Sequence, residues 1–148
     1  MVVGSHRGRL LAYTPSKTAG SWDVSKDFRA HDDYLLKCLI SPDLKTVATT
    51  SADKTVKLWK SSDLALHGTL KGHKRGVWDC QFSQHDRVLA TGSGDRTVKL
   101  WSIADCSCVR TFQGHMSSVL RVRFLATGLQ LLSSGSDGLI KLWTIRTN

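Results

Sequence analysis

His31, Thr49, Asp53 and Trp59 recur as His73, Thr91, Asp95 and Trp101, and again as His115, Ser133, Asp137 and Trp143, each set 42 residues after the one before. A hydroxyl, an imidazole and a carboxylate are the groups of nucleophilic acyl transfer, in which the carboxylate orients the imidazole and the imidazole takes the hydroxyl proton. That chemistry uses one exposed nucleophile beside an oxyanion hole, not three like sets at regular spacing. The strand-to-helix Gly-x-Ser-x-Gly elbow is also missing from the sequence. The same groups have a second use. The carboxylate accepts from its own turn and from the imidazole, the imidazole links to the hydroxyl, and the hydroxyl meets the indole N–H. Each buried polar group then avoids a penalty of about 1–3 kcal/mol for lacking a partner. The expectation is therefore a structural tetrad, with no catalytic residue and no enzyme activity.

The segments that carry the tetrads repeat with them. Asp53-Lys-Thr-Val-Lys-Leu-Trp59 is followed by Asp95-Arg-Thr-Val-Lys-Leu-Trp101 and Asp137-Gly-Leu-Ile-Lys-Leu-Trp143. A fixed period of about 40–45 residues, with a Gly-His and a Trp in each unit, marks a four-stranded propeller blade. One unit predicts strands over Tyr34–Ser41, Thr46–Ser51, Thr55–Trp59 and Ala65–Leu70. The next predicts Val77–Ser83, Val88–Ser93, Thr97–Ser102 and Cys108–Gln113. Apolar Val56 and Leu58 alternate with Lys57, as on a half-buried strand. The last unit predicts Val119–Leu125, Leu129–Ser134 and Leu139–Thr144, without a fourth strand. Met1–Ser5, Arg9–Tyr13 and Trp22–Phe28 read as an earlier unit without its first strand. The expected class is all-β: a partial propeller with two complete four-stranded blades, 30–71 and 72–113, flanked by incomplete blades over 1–29 and 114–148. Closed propellers take roughly four to eight blades, so open edges and self-association through them are expected.

Bulk composition narrows the function classes. The 148 residues carry a net charge of +9, which favours an acidic partner, RNA or an acidic protein surface. Lys57, Lys99 and Lys141 sit at one repeated strand position, where they are expected to face water. No apolar run reaches the roughly 18 residues of a membrane span, and no long apolar stretch follows the start, so neither a membrane nor a secretory signal is expected. Cys38 and Cys80 share a repeat position with Val122, which reads as a small apolar core site in a reducing, intracellular compartment rather than a disulfide. Cys106-Ser-Cys108 lacks a second ligand pair, so no metal or other cofactor is implied.

With Gly72-His73 and Gly114-His115 in place, and Ala30-His31 departing slightly, the units resemble WD40 repeats, Lys-Leu-Trp standing where that family ends in Trp-Asp. The resemblance implies a β-propeller scaffold for proteins of a multi-subunit complex. Over 1–71, Met1-Val-Val-Gly-Ser-His-Arg-Gly and Tyr34-Leu-Leu-Lys-Cys-Leu-Ile-Ser-Pro-Asp43 resemble the WD-repeat subunit of TOR kinase complexes. Over 72–148, Gln84-His-Asp-Arg-Val-Leu-Ala-Thr91 and the stretch Gln130–Trp143 resemble the transducin β-like WD-repeat subunit of the small-subunit processome, which works with the U3 RNP. The leading implication is ribosomal RNA processing in the nucleolus; the alternative is TOR signalling in the cytoplasm.

The tetrads tie the loop before each first strand to the Asp turn, so both belong to one face. Asp32, Tyr34, Lys74, Arg75 and Met116 are the residues expected to present themselves there to a partner, with Lys74 and Arg75 suited to an acidic one. Trp78, whose repeat equivalents are Leu36 and Leu120, is expected to pack in the core.

Overall fold

The structure, a computed structural model, describes residues 2–4, 7–18 and 20–145; Met1, Ser5, His6 and the end of the last unit at 146–148 lie outside the described residues. The strands are short and rich in Val, Leu and Thr, and tight turns join them, as β-branched and alternating residues favour. The first sheet holds β1 (Val2–Gly4), β2 (Arg9–Pro15) and β3 (Trp22–Arg29) in that order. The second holds β4 (Leu35–Ile40), β5 (Thr46–Ser51), β6 (Val56–Lys60) and β7 (Leu66–Leu70). The third holds β8 (Val77–Phe82), β9 (Val88–Ser93), β10 (Thr97–Ser102) and β11 (Cys108–Gln113). The fourth holds β12 (Val119–Phe124), β13 (Gln130–Gly135) and β14 (Ile140–Thr144). Each is an antiparallel meander, and the array is an all-β, unclosed run of propeller blades, two four-stranded sheets between two three-stranded ones.

The pleat sends alternate residues to opposite faces, and both faces of the two inner sheets meet a neighbouring sheet. Leu10, Ala30 and Phe28 of the first sheet pack on Val47, Trp59 and Leu35 of the second. The other face of the second, through Val56, Leu58 and Leu70, packs on Val77, Leu89 and Trp101 of the third. The third repeats the move with Val98, Leu100 and Phe112 against Val119, Val122 and Leu131 of the fourth. Cys80 and Val122 are buried in these layers and Cys38 is half-buried. All four cysteines are free thiols. Burial raises the Cys38 thiol to about 11 and pushes the Cys80 thiol higher still, so both stay protonated and unreactive at neutral pH.

Two expectations need correction. Trp78 is 41% exposed, not core. The pairing of β8 with β9 skips from Val77 to Asp79, and this bulge leaves Trp78 unpaired and turns its ring to the surface. The same shift occurs in β4 and β12, at Leu36 and Leu120. The repeated lysines are half-buried rather than simply solvated. Lys57 Nζ donates to the Ala30 carbonyl at 2.6 Å, and Lys99 Nζ to Thr111 Oγ1 at 2.8 Å.

Candidate interaction face

Each tetrad is a directed chain of hydrogen bonds. In the second sheet, Trp59 Nε1–H donates to Thr49 Oγ1 at 2.8 Å. The Thr49 hydroxyl lies 2.7 Å from His31 Nε2, and His31 Nδ1 lies 2.8 Å from Asp53 Oδ2. A carboxylate only accepts and an indole N–H only donates, so the proton sits on Nδ1 and the hydroxyl donates to Nε2. The third sheet repeats these distances: 2.8 Å from Trp101 to Thr91, 2.7 Å from Thr91 to His73, 2.8 Å from His73 to Asp95. In the fourth, Trp143 donates to Ser133 at 2.8 Å, Ser133 lies 2.7 Å from His115, and His115 Nδ1 faces both oxygens of Asp137 at 2.9 and 3.1 Å.

The aspartates do more than hold histidine. Asp53 Oδ2 accepts from the Asp32 N–H at 3.2 Å, Asp95 Oδ2 from Lys74 N–H at 2.9 Å, and Asp137 Oδ2 from Met116 N–H at 2.9 Å. These bonds stitch the loops before β4, β8 and β12 to the Asp turns. Thr55 and Thr97 close the turn from the other side, donating both N–H and hydroxyl to Asp53 and Asp95. They escaped a search for the tetrads alone, although Asp-x-Thr recurs at the same period and is replaced by Leu139 in the last copy. Burial acts to raise these carboxylates, but the converging donors outweigh it. Asp53 and Asp95 are held below the ordinary value of 3.8, and Asp137 is brought down to about 2. For His31, burial dominates the attraction of Asp53 and lowers the imidazole below its ordinary 6.5.

The Gly of each Gly-His pair has a packing reason. Gly72 and Gly114 take φ of 154° and 157°, and a Cβ there would stand 3.2 and 3.1 Å from the ring tips of Trp101 and Trp143. The glycines let the indole seal the tetrad from water. Thr49, Thr91 and Ser133 are buried, so their hydroxyls are shielded from any substrate and the hydrolase geometry is not met.

A second polar cluster went unrecognised in the sequence. Asp79 on β8 is completely buried and binds Lys37 Nζ of β4 and Arg123 Nη1 of β12, the latter at 2.8 Å. Its Oδ2 also accepts the Val122 N–H at 2.9 Å, and Gln81 Oε1 accepts the Phe124 N–H at 2.6 Å. One carboxylate therefore joins the first strands of three sheets. Only part of a signal was there: Lys37 and Asp79 share a repeat position with opposite charge, but the arginine at that position is Arg121, and the one that binds is Arg123 two residues on.

The residues expected to meet a partner are all exposed: Asp32, Tyr34, Lys74, Arg75 and Met116, the last at 79%. The structure brings three of them together. Lys74, Arg75 and Met116 line one cavity of about 440 Å³ with Arg96, while Asp32 and Tyr34 stand outside it on the preceding loop. Among the described residues no group of three His, Cys, Asp or Glu side chains could hold a metal ion. No helix long and apolar enough to cross a membrane occurs among them.

The model of the WD domain, G-beta repeat, matches this chain over residues 19–60, 65–102 and 106–144. Over 86 residues the chain is 41% identical to the non-functional target of rapamycin complex subunit LST8-2 of Arabidopsis thaliana, covering 55% of this chain and 28% of that protein. Over 78 residues it is 47% identical to the target of rapamycin complex subunit LST8-1 of the same plant, covering 51% and 26%. Over 54 residues it is 53% identical to transducin beta-like protein 3 of Mus musculus, covering 36% and 7%. The chain thus spans less than a third of the length of each of these relatives. Three matched repeats, three tetrads and four meander sheets in series make this chain a member of the WD40 family.

Proposed function

We propose that the chain is a non-catalytic scaffold that holds proteins of a multi-subunit complex, its contact surface being the face of the loops before β4, β8 and β12. One observation carries this reading: the repeated histidines and hydroxyls are buried inside the sheets, while the loops they brace stand exposed. Turnover of any member of a broad panel of ester and peptide substrates would overturn it.

The assembly proposed first is a TOR kinase complex, in the cytoplasm, with this chain a partner of the kinase. Two relatives named as target of rapamycin complex subunits each match about half the chain, and this supports that reading. The second is ribosomal RNA processing, in the nucleolus. It is favoured by the denser identity to transducin beta-like protein 3 over a shorter stretch and by the basic charge. Pull-down with the full chain from a cell extract separates them, TOR kinase against U3 RNA. Recovery of neither at physiological salt removes both.

A further inference from the structure

The three loop-and-turn units of the interaction face occupy equivalent positions yet differ in charge. The first presents Asp32, Asp33 and Lys54; the second Lys74, Arg75 and Arg96; the third Met116, Ser117 and Gly138. Basic character is thus concentrated in one unit of three. Lys74, Arg75 and Arg96 are exposed, and none has an ion-pair partner among the described residues. Asp95 lies among them as an ionised carboxylate and offsets one of the three charges, which leaves the unit basic, but it pairs directly with none of them. Its two oxygens already accept from His73 Nδ1, Lys74 N–H, Thr97 N–H and Thr97 Oγ1–H.

These cations form one wall of the 440 Å³ cavity, and Met116, Ser117 and Ser118 form the other. A second cavity, of about 380 Å³, shares Lys74, Asp95 and Arg96 with the first and adds Lys99. Gly94 at the cavity wall is packed under Trp78 and Arg75: a Cβ there would stand 3.0 Å from Trp78 Nε1 and 3.4 Å from Arg75 Cβ. The bulge in β8 therefore delivers an exposed indole beside the basic wall. Exposed Trp, Arg and Met around a cleft are the residue types that dominate binding at protein interfaces.

We propose that this cleft docks an acidic polypeptide segment, its carboxylates against Lys74, Arg75 and Arg96, one apolar side chain against Met116, and its flank on Trp78, which stands beside the basic wall at Gly94. The proposal rests on the scaffold reading above and names the partner's chemistry at that face. A nucleic acid fits less well. Its charge repeats at every nucleotide and tracks a continuous basic groove, and here the track ends at Asp32 and Asp33 on one side and at Met116 and Ser117 on the other.

The test uses the full chain and three labelled probes in fluorescence anisotropy: a Glu-rich peptide with one central Phe, its Gln-for-Glu counterpart, and single-stranded oligouridylate. The Glu peptide is expected to bind, to weaken as salt rises, and to outbind both other probes. Lys74→Glu with Arg96→Glu should weaken it by about tenfold or more, because like charges then oppose each other. Trp78→Ala should weaken it without changing the salt dependence. Lys17→Glu with Lys45→Glu, a charge-matched change away from this cleft, should leave it unaltered, and circular dichroism confirms that each variant is folded. Equal binding of the Gln peptide, tighter binding of oligouridylate, or an equal loss in the Lys17/Lys45 variant overturns the proposal. Failure of the pull-down with peptide binding intact sinks only the choice of assembly; the reverse result sinks only the acidic segment.

Discussion

A hydroxyl oxygen at the centre of each tetrad serves two partners at once, and its loss tests the network most directly. Thr91→Val keeps the shape but leaves the Trp101 N–H and His73 Nε2 without partners. Each orphan costs about 1–3 kcal/mol, so the two together predict a loss of about 2–6 kcal/mol in urea unfolding. Thr91→Ser, which copies Ser133, should cost far less. Repeat comparison misleads at Gly135. The other copies carry Ser51 and Ser93, which accept the Asp53 and Asp95 N–H groups. A Cβ on Gly135 would sit 2.6 Å from both His115 Nδ1 and Asp137 Oδ1. Gly135→Ser should therefore destabilise the chain although it restores the consensus of the repeats, and a raised melting temperature would contradict the packing described. Acid should weaken the fold in two stages. His31 is lowered below 6.5, so the unfolded imidazole takes a proton before the folded one and stability falls as pH drops below that value. The depressed aspartates stabilise the fold fully above 3.8 and lose that contribution as pH falls through their folded values, about 2 for Asp137. Melting temperatures across this range should decline steadily toward low pH.

At the scale of the strand, the sequence was most legible where copies agree and least where they complement one another. Val56 and Leu58 with Lys57, and the matching residues of β10, announce their strands because one alternation recurs at one period. The Asp79 clasp stayed hidden because its members are a lysine, an aspartate and an arginine; a search for likeness passes over partners that must differ. Trp78 was misplaced for another reason. A bulge breaks the two-residue pleat, and no alternation of apolar residues reports it. The clasp has its own test. Asp79→Ala strips the acceptor from the Val122 N–H and the counter-charge from Lys37 and Arg123, with an expected loss of about 2–3 kcal/mol. Both cations keep some contact with water, which limits the cost. Asp79→Asn retains an acceptor and should lose less. Equal losses for the two would mean that charge, not the backbone bond, is what matters.

Across the molecule, the sheets bury one another in series, and the last exposes what its neighbours hide. Val98 and Leu100 are buried between the third and fourth sheets, yet their equivalents Ile140 and Leu142 are 75% and 55% exposed on β14. An uncovered apolar face of this kind drives association. The isolated 148-residue chain is expected to show a mass above that of a monomer in light scattering, rising with concentration. Ile140→Lys with Leu142→Lys should return it to monomer; a monomer at all concentrations without these changes would refute the expectation. Between the buried faces, Asp79 and Gln81 do for β12 what a neighbouring strand would do: they occupy the amides of Val122 and Phe124 on its unpaired edge. Hydrogen–deuterium exchange should therefore find those two amides slow, like positions inside a sheet, and Gln81→Ala should quicken Phe124 alone. A side chain from one repeat would thereby set the clock of a main-chain proton in the next.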